Sequence, residues 1–132
     1  MERLSFDTTF LIDLQRERRK NDVQGSAHVF LEEHSEHSFE ISSVVLGEYA
    51  EGFTHPRNEG IEELLRFCEV WPIDTEVALV YGEIVRTLRI RGELIGANDL
   101  WIAATSIRHK LSLVTRNTAH FKRVSGLRLV EY

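Results

Sequence analysis

Cysteine is almost missing from this sequence. With Cys68 as its only one, the chain can form no internal disulfide and has no CxxC pair for zinc or dithiol chemistry, which suits a reducing cytosol. There is no GxxxxGK[ST] motif, and Gly92, Gly96 and Asn98 do not make a loop that could cradle phosphate. No apolar run approaches the length of a membrane span, and the N-terminus lacks the basic and apolar blocks of a signal peptide. Positive charge is also in the minority. Sixteen Lys and Arg against 21 Asp and Glu give a net charge of −5, so no general basic field draws in nucleic acid. Contact with nucleic acid would have to come from local patches or through bound metal. A length of 132 residues, 42% of them hydrophobic, suits a single domain over residues 1–132 with a real core. We therefore expect a soluble, cytoplasmic protein.

What is present is an alternation of strand and helix patterns. Leu4 and Phe6 lead into Asp7, two threonines follow, and Phe10, Leu11 and Leu14 begin a helical spacing. This predicts a strand that ends in a carboxylate and turns directly into a helix. The charged run 16–20 ends that helix. Asn21-Asp22 offers a cap for a second helix carrying Val23, Ala27, Phe30 and Leu31. Residues 39–41 alternate as a short strand, and Ser42-Ser43 caps a helix over 44–51 that Gly52 can close. Ile61, Leu64, Leu65 and Cys68 share one face of the next helix, and 70–73 is a third strand. Asp74 caps an amphipathic helix with a stripe of Val77, Tyr81, Val85 and Leu88. After a turn over 92–98, residues 100–107 are apolar on nearly every side and predict a buried helix. Strands at 111–115 and 127–130 complete a three-layer α/β/α sandwich with a mainly parallel central sheet.

Three acids fall where packing does not ask for them. Asp7 ends the first strand, Glu48 shares a helix face with Val44 and Val45, and Asp99 opens the most buried helix. Each has a plain structural explanation: Asp7 and Asp99 as helix caps or first-turn acids, Glu48 as a side chain leaning out from the edge of its helix. Together they would meet at the carboxyl edge of one sheet, where an open α/β fold binds its ligands. Three carboxylates gathered there repel one another unless a cation sits among them, and oxygen ligands of this kind suit Mg2+ or Mn2+. Such an ion can activate water and stabilise a phosphoryl transition state. Haloacid-dehalogenase-like phosphatases also begin with a strand-end Asp, but they want a second Asp two residues on, and here that position is Thr9.

The segments FDTTFLIDL at 6–14, SSVVLGEYAEG at 42–52, IGANDLWIAATSI at 95–107 and LVTRNTAHFKRVSGLRL at 113–129 resemble, in order and over the whole chain, the PIN-domain ribonucleases. In particular, they resemble the VapC toxins of type II toxin–antitoxin systems. The resemblance implies a metal-dependent endoribonuclease with Asp7, Glu48 and Asp99 as its acidic metal-binding residues and Mg2+ or Mn2+ as cofactor. It also implies an RNA substrate such as tRNA or rRNA, a cognate antitoxin that wraps the enzyme, and a homodimer. One departure stands out. Where many PIN domains place a fourth acid, this chain has Asn117, which offers an oxygen ligand without charge, and His120 is another occupant of that edge. Thr115 resembles the family's small hydroxyl residue beside the site, and it reads nearly as well as simply the last residue of a strand. The alternative is a non-catalytic PIN-like module that binds RNA or a protein partner, although a binding module has no need of clustered negative charge.

Three further features carry weaker readings. The 16–20 cluster is either a solvated helix end or a guide for RNA phosphates. His34 and His37 read as a solvated face rather than a metal site, and Trp71 as packing. Phe30, Phe53, Leu65 and Phe67 exceed what one small sheet face covers, so we expect them to form the surface used by the dimer and the antitoxin.

Overall fold

Five short segments make the sheet: β1 (Arg3–Phe6), β2 (Ser38–Ser42), β3 (Glu69–Trp71), β4 (Ser112–Val114) and β5 (Leu129–Val130). They are taken from a computed structural model that describes residues 2–132. The spatial order is β3-β2-β1-β4-β5 and every pairing is parallel, so the expected sandwich has a wholly rather than mainly parallel sheet. Parallel neighbours cannot be joined by tight hairpins, and helices fill the crossovers. These are α1 (Thr8–Arg19) and α2 (Ser26–Glu33), then α3 (Ser43–Ala50) and α4 (Glu59–Phe67), then α5 (Thr75–Arg91) and α6 (Ala97–Arg108), and last α7 (Thr118–Phe121). Leu4, Phe6, Leu113 and Val114 on the central strands are fully buried, as befits strands covered on both faces. The chain moves one way from β1 to β3 and the other way from β4 to β5. The switch point therefore lies between β1 and β4, and the carboxyl ends of these two strands are where an open α/β sheet binds its ligands.

Local capping chemistry accounts for most helix starts. Asp7, Ser42, Asn58 and Asp74 each accept a hydrogen bond from a backbone amide in the first turn of α1, α3, α4 and α5. Gly92 closes α5 in the left-handed conformation, φ 67°, which glycine adopts without penalty.

Other expectations need correction. Helix α2 starts at Ser26, not at the Asn21-Asp22 pair, and Val23 lies outside it, 65% exposed. Its cap is tertiary: Glu17 reaches from α1 to accept from the amides of Ala27 and His28, at 3.1 and 2.9 Å. Gly52 does not close α3 in a left-handed turn, and the third strand stops at Trp71. The buried stripe of α5 is Val77, Ile84 and Leu88, with Tyr81 half-buried and stacked on Trp101 at 3.6 Å. The short α7 was not expected. Nor are the aromatics of α2 to α4 spare, since Phe30 is buried and Phe53 and Phe67 pack against the core. The large apolar side chains most open to solvent are instead Ile90, Leu79 and Val23. No helix among the described residues is long and apolar enough to cross a membrane.

Candidate functional site

The end of β1 delivers Asp7 to the carboxyl edge of the sheet, and the chain just after β4 delivers Thr115 beside it. The Thr115 hydroxyl donates to Asp7 Oδ2 at 2.5 Å, and the Phe10 amide donates to Oδ1 at 3.1 Å. Asp7 thus caps α1 through one oxygen, while the other accepts from Thr115. It is 4% exposed and, among the described residues, has no cationic hydrogen-bond partner. Burial pushes its carboxyl above the ordinary range. The two hydrogen bonds pull it back only partly, and the charges of Asp99 and Asp13 push in the same direction as burial.

Asp99 enters from the first turn of α6. Its carboxyl is also raised, by burial and by the nearby charge of Glu48, with the His120 ring acting in the opposite sense. His120 Nδ1 lies 3.9 Å from Asp99 Oδ2 and 3.1 Å from the Asn117 side-chain amide. Asn117 packs back onto Thr115, its backbone amide donating to the threonine hydroxyl at 2.9 Å. Glu48 is half-buried, as its helix face suggested, but both its oxygens are engaged: Oε1 accepts from the Thr8 hydroxyl at 2.6 Å and Oε2 from the Asn98 amide at 3.1 Å.

The sequence-chosen residues therefore gather at one edge as a chain of neighbours: Glu48, Asp99, His120, Asn117, Thr115 and Asp7. They do not form a closed cage, and among the described residues no three His, Cys, Asp or Glu side chains converge on a single metal position. The donor set still fits a hard divalent cation, being carboxylates with a hydroxyl and an amide oxygen. Burial raises the carboxyls of Asp7 and Asp99, neighbouring acids push the same way, and a cation beside them would favour their ionised forms.

Comparison with known proteins bears on this arrangement. The family profile described as PIN domain matches residues 5–127. The chain belongs to the PIN-domain family. Ribonuclease VapC1 of Methanocaldococcus jannaschii is 31% identical over 127 residues, which is 96% of this chain and 84% of that protein. Among solved structures, VapBC2 from Rickettsia felis, bound to a DNA fragment from its promoter, superposes with a TM-score of 0.83 at 26% identity, covering 97% of each chain. VapBC-1 from nontypeable Haemophilus influenzae gives 0.78 at 26% identity over 97% of this chain and 96% of that one.

The sequence reading of this PIN domain missed Thr8 and Asn98. They flank Asp7 and Asp99 in the chain and both bind the third acid, Glu48. The only signal for them was adjacency, since a polar residue beside a site acid already stands near its partners. It also missed Asp13, buried on α1, where Arg116 and Tyr132 meet it from the far end of the chain. His34 and His37 hold no metal-like geometry: the His34 ring stacks on Phe30 at 3.9 Å, and its Nδ1 meets the Phe30 carbonyl oxygen. Trp71 is packing, as expected, its indole donating to Glu40 and its ring stacked on His109.

Proposed function

We propose that this PIN domain is a divalent-metal-dependent endoribonuclease, the toxin of a cytoplasmic toxin–antitoxin pair, and that Asp7, Glu48 and Asp99 hold its Mg2+ or Mn2+, with Asn117 at the fourth position. The observation that carries the reading is Asp7, a buried strand-end carboxylate with a raised pKa, facing Asp99 and meeting only a hydroxyl and an amide. The named relatives are ribonucleases and toxin–antitoxin complexes, which supports RNA as substrate and an antitoxin as partner. A homodimer is part of the same proposal. Exposed Leu79 and Ile90 on α5 are the apolar groups available to it.

A bound divalent cation supplies a Lewis acid for the phosphoryl oxygens and lowers the pKa of water. The chain's own residues do the rest. Thr115 orients Asp7 Oδ2 by donating to it, a bond that favours the carboxylate against the burial that raises its pKa. Thr8 and Asn98 hold Glu48 at the rim until a cation competes for its oxygens. His120, the most exposed member beside Asp99, is placed to carry a proton to or from a group at the rim.

The test is RNA cleavage with Mg2+ or Mn2+ by the wild type and by Asp99→Asn, which keeps the side-chain shape and removes the charge. We expect activity to fall at least about a hundredfold with the fold intact by circular dichroism. Undiminished cleavage by Asp99→Asn refutes the metal-site assignment, and a wild type that binds RNA but never cuts it favours the non-catalytic binding module.

A further inference from the structure

Two guanidinium groups share one buried carboxylate near the site. Asp13 is 7% exposed and lies six residues after Asp7 on α1, about 9 Å along the helix axis. Its Oδ2 accepts from the Tyr132 hydroxyl at 2.5 Å and pairs with Arg116 Nη2 at 2.7 Å, while Arg16 Nη1 stands 3.6 Å from Oδ1. The Tyr132 ring packs edge-on to Phe10 at 4.7 Å, and the Arg116 guanidinium lies 5.6 Å from the centre of its ring. Arg116 is therefore held from two sides, yet its side chain is 53% exposed and that of Arg16 is 61% exposed.

A structural ion pair needs one cation. Here Asp13 already has an arginine and a phenol, so the second arginine leaves the cluster at +1 in a protein whose net charge is −5. The excess sits immediately beside the acids, because Arg116 lies between Thr115, which donates to Asp7, and Asn117. The ion pair with Asp13 engages Nη2 at one edge of the Arg116 guanidinium and leaves its other donors for planar recognition of a phosphate. Anchoring on Asp13 and Tyr132 reduces the rotamer freedom that binding would otherwise have to remove.

We propose that Arg16 and Arg116, gathered on Asp13, form a subsite for the backbone phosphates of single-stranded RNA flanking the bond that is cut. This rests on the ribonuclease reading above and adds to it the means by which an acidic protein grips a polyanion. The subsite fixes the position of the strand and reads no bases.

The experiment is fluorescence anisotropy of a labelled single-stranded RNA of mixed sequence with the full chain in chelator, across a salt series. No divalent metal is needed for this readout. Arg116→Gln should weaken binding at low salt and flatten the slope of log K against log salt by about 0.7, the share of one neutralised phosphate, equally for RNAs of different sequence. Arg116→Lys, which keeps the charge, should keep most of the slope. An unchanged slope in Arg116→Gln overturns the proposal, as does a weakening confined to one RNA sequence. Should Arg116→Gln fail to fold, Arg16→Gln, whose partner is farther away, carries the same test with the same two outcomes. Failure of the parent reading looks different, since a wild type that neither binds nor cuts RNA overturns both.

Discussion

Two buried carboxylates, one within a strand and one at the end of its neighbour, show what separates a structural acid from a candidate site acid. Glu40 on β2 is 1% exposed and is met by Arg3 through both oxygens, by the Trp71 indole at 2.7 Å and by the Ser38 hydroxyl at 3.0 Å. Burial alone would raise its pKa, but these donors outweigh it and hold the carboxyl below the ordinary range. Asp7 at the end of β1 is nearly as buried, yet it meets one hydroxyl and one amide, faces other acids, and is pushed up. The fold pairs the acid inside the sheet with an arginine and gives the acid at its edge only neutral donors. A strand interior is walled by the protein's own donors, whereas the strand ends at a switch point are where an open α/β sheet takes its ligands.

The comparison breaks most visibly at Glu40. Glu40→Ala strands Arg3 and Trp71 and should cost about 3 kcal/mol, a fall in Tm of roughly 10 °C, whereas Asp7→Asn should be neutral or stabilising in the absence of metal. Thermal melts that rank the two the other way would contradict it. The pH dependence has opposite signs at the two places. Glu40 is depressed on folding, so its contribution is present above its unfolded value of 4.5 and lost as pH falls through the lower folded value. Asp7 is raised, so its ionisation withdraws stability as pH rises past 3.8. Asp7→Asn should therefore gain on the wild type above that pH, and Glu40→Gln should lose its acid limb.

Metal sharpens the contrast. At a hundredfold excess over Kd, Mn2+ should stabilise the wild type by about 2.7 kcal/mol. Asp7→Asn should lose most of this gain and Glu40→Gln should keep it, provided it remains folded. Equal melting shifts in all three would place the ion elsewhere.

The smallest effect concerns Asn117. Its side chain meets His120 and its backbone meets Thr115, so two roles compete: a ligand at the fourth position or a turn residue. As a ligand, Asn117→Ala should raise the metal concentration for half-maximal cleavage about tenfold with stability within about 0.5 kcal/mol. A change in stability with metal dependence untouched assigns it to the turn.

Much of the frame was legible because its signals act within one turn of chain. The strand-end position of Asp7, the caps at Ser42 and Asp74, and the buried run of α6 needed only spacing and residue type. So did the choice of Asp7, Glu48 and Asp99 as acids out of place. What the chain could not reveal by itself is what each polar group meets across the fold. Glu17 caps a helix ten residues away, Tyr132 reaches Asp13 across 119, and Asn98 reaches Glu48 across 50. Glu40 read simply as the middle of a strand until Arg3 and Trp71 closed on it. A cap or an apolar stripe is written in neighbouring residues, but the charge state of a buried acid depends on which donors packing brings to it. The tertiary structure alone decided that Glu40 is neutralised from within while Asp7 is left open.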